Sequence, residues 1–211
     1  MIELARSSLK RAARPLGLIP MQRVFRELQH RNVNLADRRV LDVFAGTGER
    51  TIRYYAPLVG HIEAWDIDES RIAELHATYP AVDARVVDSY REIQQTQERY
   101  DLVIADNHVS PVEHFALFPH VLRVLSEDSV LVLIVLPAAG PHEEHLANRR
   151  TFYGTDTPEF VSIDEMAARY GDMARDEGLR LAWHSYVPRR DMRGVLPVNA
   201  GYGLMTLKFE P

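Results

Sequence analysis

Val40-Leu41-Asp42-Val43-Phe44-Ala45-Gly46-Thr47-Gly48-Glu49-Arg50 is the stretch on which the fold turns. An apolar run too short for a helix breaks into Gly46-Thr47-Gly48, and a helical pattern follows, so it reads as strand, tight turn and helix. Gly46 and Gly48 accept backbone angles closed to other residues and let a ligand approach the main chain, while a helix start presents free amide groups. That is the layout of a nucleotide-type pocket. A second run, His61-Ile62-Glu63-Ala64-Trp65-Asp66, ends in a carboxylate 20 residues beyond Gly46. A carboxylate there can accept hydrogen bonds from both hydroxyls of a ribose.

Outward from this core, residues 3–14 and 21–30 read as two helices separated by Pro15-Leu16-Gly17-Leu18-Ile19-Pro20. Met21, Val24, Phe25 and Leu28 form the apolar stripe of the second, which packs on the sheet or covers the ligand. Downstream, a helix over 48–56 runs to Pro57, and Asp68 is placed to cap a helix carrying Ile72, Leu75 and Tyr79. Ala84 to Val87 is a short third strand ending at Asp88-Ser89, and Tyr100 to Ala105 is a fourth, apolar enough to be buried on both faces. Ser110-Pro111-Val112-Glu113 has the form of a capping box opening a helix with Phe115, Leu117, Leu122 and Leu125, kinked or split at Pro119. Ser126 to Ser129 turns the chain into the fifth and most apolar strand, Val130 to Leu136. Alternating strands and helices imply a parallel sheet with right-handed crossovers and helices on both faces.

The last third departs from this rhythm. His142 to Arg150 reads as a polar helix, Thr151 to Val161 as irregular, and Ser162-Ile163-Asp164-Glu165 as a second capping box opening a helix that ends at Gly178. Leu179 to Val187 and Tyr202 to Phe209 close the chain as strands.

With 211 residues, 46% hydrophobic and 26% charged, the chain is expected to form a single domain with one substantial core. It has no cysteine, which excludes disulfides and thiolate metal sites. The start shows no signal-like apolar core, and the longest apolar run, Val130 to Ala139, is too short to span a bilayer, so a cytoplasmic location without membrane contact is the default. Charge is uneven: residues 1–39 hold nine Lys/Arg against three Asp/Glu, and the remaining 172 hold 16 against 27, balances of +6 and −11 that sum to the net −5. The basic arm meets an anionic partner such as RNA or lies on the acidic body. Only Phe25 interleaves with its arginines, whereas base-stacking platforms need several aromatics.

Residues 40–50 resemble the first motif of class I S-adenosylmethionine-dependent methyltransferases, and Ala64-Trp65-Asp66-Ile67-Asp68 resembles their second. The resemblance covers about residues 38–136. A dinucleotide-binding oxidoreductase would want a third glycine or alanine where Thr51 stands, and an acidic residue in the first strand suits a ligand bearing an ammonium and a sulfonium. The resemblance implies a Rossmann-like α/β three-layer sandwich with a seven-stranded, mostly parallel sheet and an antiparallel last strand. It implies a helical arm over 1–38, a cofactor core over 39–136 and acceptor-side elements over 137–211. It implies S-adenosyl-L-methionine as cofactor, held by Asp42, Phe44, Ala45, Gly46, Thr47, Gly48, Asp66, Ile67 and Asp106, with Asp88 and Ser89 beside the adenine; the last two also suit a plain helix cap.

Asp106-Asn107-His108 occupies the place where amino-group methyltransferases acting on bases carry Asn/Asp-Pro-Pro-aromatic, and only its first position matches. Asp106 and His108 are the candidate catalytic pair, one orienting an amine or hydroxyl and the other taking its proton near neutral pH. The plainer reading is a strand-ending turn with a solvated histidine. His142-Glu143-Glu144-His145 has the wrong spacing for a zinc protease and reads as a solvated helix face. Phe152, Tyr153 and the arginines at 149, 150, 189, 190 and 193 lie in segments that shape acceptor pockets in the resembling family. The expected activity is methyl transfer to nitrogen or oxygen of a small-molecule acceptor. RNA as acceptor, a non-catalytic cofactor-binding partner and a nicotinamide oxidoreductase stand as alternatives.

Overall fold

Seven strands form one sheet in the order β3-β2-β1-β4-β5-β7-β6: β1 (Arg39–Asp42), β2 (His61–Asp66), β3 (Asp83–Val86), β4 (Tyr100–Ala105), β5 (Leu125–Val135), β6 (Arg180–Pro188) and β7 (Gly203–Glu210). All neighbours are parallel except β7, which runs antiparallel to both β5 and β6. This computed structural model describes residues 20–49, 51–106, 111–188 and 203–211, and only the backbone of 111–114. The expected helix over 3–14, Arg50, Asn107 to Ser110 and the arginines at 189, 190 and 193 lie outside the described residues.

Among the described residues seven helices accompany the strands: α1 (Pro20–His30), α2 (Ile52–Tyr55), α3 (Glu69–Thr78), α4 (Ser89–Gln95), α5 (Pro111–Arg123), α6 (Glu143–Tyr153) and α7 (Ile163–Asp176). Side chains alternate across each strand, so the sheet carries two cores. Leu41, Val103, Leu131, Leu133 and Leu207 pack with α5 and α7 through Phe118, Val121, Met166 and Tyr170. Val40, Ala64, Leu102, Ile104, Val132 and Leu204 pack on the other face with α1, α2 and α3. Met21, Val24, Phe25 and Leu28 are all buried there, so α1 packs on the sheet. Among the described residues no helix is long and apolar enough to cross a membrane.

Local chemistry sets the boundaries. The helix expected over 48–56 is confined to Ile52–Tyr55 and tightens into a 3-10 turn at Ala56–Leu58, because Gly48 at φ 75° stands outside the helical region and Pro57 lacks an amide donor. Asp68 caps α3 by accepting from the Ser70 and Arg71 amides, and Ser162 with Glu165 forms the expected capping box of α7. Pro119 lies inside an unbroken α5. Helix α6 extends through Tyr153 and closes on Gly154 at φ 65°. The turn expected at 126–129 is a bulge within β5: Leu125 pairs with Tyr100 and Val130 with Leu102. Asp128, displaced by that bulge, receives Arg38 and Lys208.

The chain builds outward from β1 to β2 and β3 on one side, and from β4 to β5 on the other. The crevice outside the carboxyl ends of β1 and β4 is therefore where an open α/β sheet binds ligands.

Candidate functional site

Strand β1 runs directly into the Phe44–Gly48 turn, which is tied to its neighbours by main-chain hydrogen bonds. Val43 N donates to Ile104 O (2.9 Å), Ala45 N to Trp65 O (2.9 Å) and Gly48 N to Ala45 O (3.0 Å). Gly46 and Gly48 hold φ of 57° and 75°, angles that favour glycine. They differ in surroundings. A Cβ at Gly48 would stand 3.1 Å from the Tyr79 ring, whereas one at Gly46 would meet no atom within 4 Å. The second position leaves the main chain open to a ligand.

Asp66 ends β2 and is buried. Its Oδ2 accepts from the Gly46 amide (3.0 Å) and its Oδ1 from the Asp68 amide (2.9 Å), so the carboxylate joins the glycine turn to the start of α3. Each oxygen retains a second lone pair. Arg71, in the first turn of α3, stands 3.7 Å from Oδ2.

Asp42 ends β1 on the face that carries α2. Its Oδ2 accepts from Thr51 Oγ1 (2.7 Å) and Tyr55 OH (2.8 Å), while its buried Oδ1 has no hydrogen-bond partner among the described residues. Burial pushes this carboxyl up to about 6; the two hydroxyl donors oppose the shift and the charge of Asp106 adds to it. The Thr51 hydroxyl therefore serves the buried carboxylate and does not cap α2. Tyr55 is in turn stacked on Phe25 of α1, with centroids 5.1 Å apart.

Seven of the expected residues, Phe44, Ala45, Gly46, Thr47, Gly48, Asp66 and Asp106, line one cleft of about 260 Å³, completed by Thr51 and Arg71. Phe44 also tilts against Tyr90 at 5.7 Å. Ile67, also expected at the site, follows Asp66, does not line the cleft and is 72% exposed. Asp88 and Ser89 stand beside this group without lining the cleft. Asp88 caps α4 by accepting from the Tyr90 amide (3.0 Å), and the buried Ser89 hydroxyl donates to the Val43 carbonyl. Asp106 follows β4 and is buried, while His108 lies outside the described residues. Among the described residues no group of three or more His, Cys, Asp or Glu is placed to hold a metal.

Beyond β5, Arg149 is buried and donates to three carbonyls, Pro158 (2.6 Å), Leu136 (2.5 Å) and Pro137 (2.7 Å), binding the end of β5 to the segment before α7. Desolvation lowers its pKa. Arg149 is thus a structural clamp whose donors are spent on main-chain carbonyls. Phe115, Phe152 and Tyr153 form an aromatic group beside it, with Phe115 stacked on Phe152 at 4.2 Å. Thr51, Tyr55 and Arg71 escape sequence reasoning as site residues; the spacing of Thr51 and Tyr55, one helical turn apart after an acidic strand residue, is the signal that points to the first two.

No family model and no curated protein matches the sequence. Solved structures do match in fold. Magnesium protoporphyrin IX methyltransferase from Synechocystis PCC 6803, crystallised with bound S-adenosylmethionine, aligns at a TM-score of 0.55 and 13% identity, covering 89% of this chain and 77% of its own. An rRNA methylase from Streptococcus thermophilus aligns at 0.53 and 13%, covering 85% of this chain and 91% of its own. The [4+2]-cyclase SpnF aligns at 0.56 and 15%, covering 90% and 80%. Sheet order, the antiparallel β7 and these likenesses together show that the chain has the fold of the class I S-adenosylmethionine-dependent methyltransferases.

Proposed function

We propose that the chain is an S-adenosylmethionine-dependent methyltransferase acting on a nitrogen or oxygen of a small-molecule acceptor. In this reading residues 39–136 hold the cofactor and 137–211 shape the acceptor side of a single domain, preceded by the helical arm. The main support is the joining of Asp66 to the Gly46 amide at 3.0 Å in the cleft that also holds Asp106.

The residues present fit such a ligand. The open space above Gly46 admits it to the main chain. The orphaned Asp42 Oδ1 and the buried Asp66 and Asp106 suit a ligand bearing an ammonium and a sulfonium, and disfavour a pyrophosphate. When bound, this cofactor supplies a methyl group made electrophilic by the sulfonium. Asp66 would accept from the ribose hydroxyls, Ile67 would contact the adenosine, Asp88 would accept from the adenine amino group, and Ser89, bonded to the Val43 carbonyl, would hold the chain after β1 beside the adenine. Asp106 orients the acceptor's nucleophilic atom, and His108 takes the proton that leaves it.

The charge of +6 over residues 1–39 supports a second reading, in which the basic arm holds an RNA acceptor. Because a [4+2]-cyclase has a similar fold, fold alone leaves the reaction open, and ligand binding is the deciding test. Calorimetric titration with S-adenosylmethionine, S-adenosylhomocysteine and NAD in parallel is expected to show micromolar binding of the first two only. Binding of NAD alone overturns the reading.

A further inference from the structure

Arg71 lines the same cleft as Asp66. Its guanidinium lines the cleft and lies 3.7 Å from Asp66 Oδ2 and, through Nε, 3.4 Å from Asp68 Oδ2. Both separations are within ion-pair range, and among the described residues the guanidinium makes no hydrogen bond. Arg71 is 56% exposed at the side chain, whereas Asp66 is 8% exposed. The Nε lies toward Asp68, and the remaining N–H donors of the fork are held in the cleft beside a carboxylate that already takes two main-chain donors.

The two groups are complementary toward a vicinal diol. A hydroxyl has one proton to give and two lone pairs to fill. Asp66 accepts only, and both its oxygens have already taken one amide donor while keeping one lone pair each. Arg71 donates only. We infer that Arg71 is the donor half of the ribose subsite: Asp66 accepts hydrogen bonds from the two ribose hydroxyls, and Arg71 donates hydrogen bonds to their oxygens. This rests on the cofactor reading above and adds to it a specificity residue, since a ligand without the hydroxyls loses partners on both sides.

The test compares S-adenosylhomocysteine with its analogue lacking both ribose hydroxyls, titrated calorimetrically into the wild type, R71A and R71K. R71A is expected to weaken the parent ligand about tenfold, the scale of a charge-assisted hydrogen bond at a partly exposed site. It is expected to leave the dideoxy analogue unchanged, and R71K to recover part of the loss. Loss of equal size with both ligands, or with neither, overturns the inference while leaving the cofactor reading intact. Failure of the wild type to bind S-adenosylhomocysteine overturns both. Binding of NADP in its place, abolished in R71A, would assign Arg71 to a ribose phosphate and also overturn both. A thermal midpoint matching the wild type confirms that R71A folds.

Discussion

Glu63 and Asp42 are buried carboxylates on neighbouring strands, aimed at opposite faces of one sheet, and the protein treats them in opposite ways. Glu63 accepts from Trp65 Nε1 (2.8 Å), Tyr100 OH (2.7 Å) and Arg85 Nη1 (2.7 Å). Burial raises its pKa, but these donors and the arginine's charge outweigh that and hold the carboxyl below its ordinary value. Among the described residues Asp42 has two hydroxyl donors on one oxygen, no hydrogen-bond partner on the other and no ion pair, and burial pushes it up to about 6. The first carboxylate is closed within the fold. The second, bonded to the cleft residue Thr51, keeps a buried oxygen without a hydrogen-bond partner among the described residues, the kind of perturbed group that functional sites often hold.

The contrast can be broken most forcefully at Glu63. Glu63→Ala strands the Tyr100 hydroxyl, the Trp65 indole and Arg85, and is expected to destabilise by about 3 kcal/mol, the scale of a buried pair deprived of one partner. Urea unfolding checks this; a loss under about 1 kcal/mol would show that the network contributes little.

Stability against pH should then separate the two signs. The raised folded-state pKa of Asp42 means that the native chain binds more protons than the unfolded one between the ordinary aspartate value and about 6. Acidification from neutral pH through that window therefore favours the wild type over Asp42→Asn, by up to about 3 kcal/mol. Glu63, held low, behaves oppositely: its contribution is complete above its ordinary pKa and is lost as pH falls through the folded-state value. A difference between wild type and Asp42→Asn that stays constant from pH 7.5 to 4.5 would remove the contrast.

Asp66 lies between these cases, satisfied by main-chain amides yet open to a ligand. On the proposed function, Asp66→Ala weakens S-adenosylhomocysteine binding by about 2 kcal/mol. Asp68→Ala leaves that affinity in place and costs about 1 kcal/mol of stability through the lost cap of α3. The reverse pattern in calorimetry would move the ribose site to Asp68. The smallest effect is expected from Thr51→Val, which removes one donor from Asp42 at about 1 kcal/mol and shifts the carboxyl's titration further upward. An unmoved titration would mean that the Thr51 hydroxyl is not what restrains it.

Much of this architecture is legible in the chain. Short apolar runs bounded by turns mark the strands, and the caps at Asp68 and Ser162 are local patterns of a few residues. Asp66 is identified by its place at the end of a run, and the structure ends β2 there. The limits of α2 were less legible, because a helical pattern does not say how far a positive-φ glycine and a proline will shorten it. The bulge at 126–129 resembled a turn for a related reason: polar residues leave a strand's ladder in either case, and only the pairing of Leu125 with Tyr100 distinguishes them.

What the sequence determined by itself is whatever neighbours in the chain decide: hydrophobic alternation, the glycine turn, the caps and the spacing from Gly46 to Asp66. Partnership across distance, by contrast, exists only in the folded chain. Glu63 meets Tyr100 37 residues away, Arg38 meets Asp128 90 residues away, and Arg149 is drawn from a polar helix into a buried clamp. Asp42, Thr51 and Tyr55 form one unit, and Arg71 turns toward Asp66, because the sheet brings strand ends and helix starts to a common edge. Desolvation and charge pairing depend on that edge and on which atoms share it, so composition and spacing do not carry them.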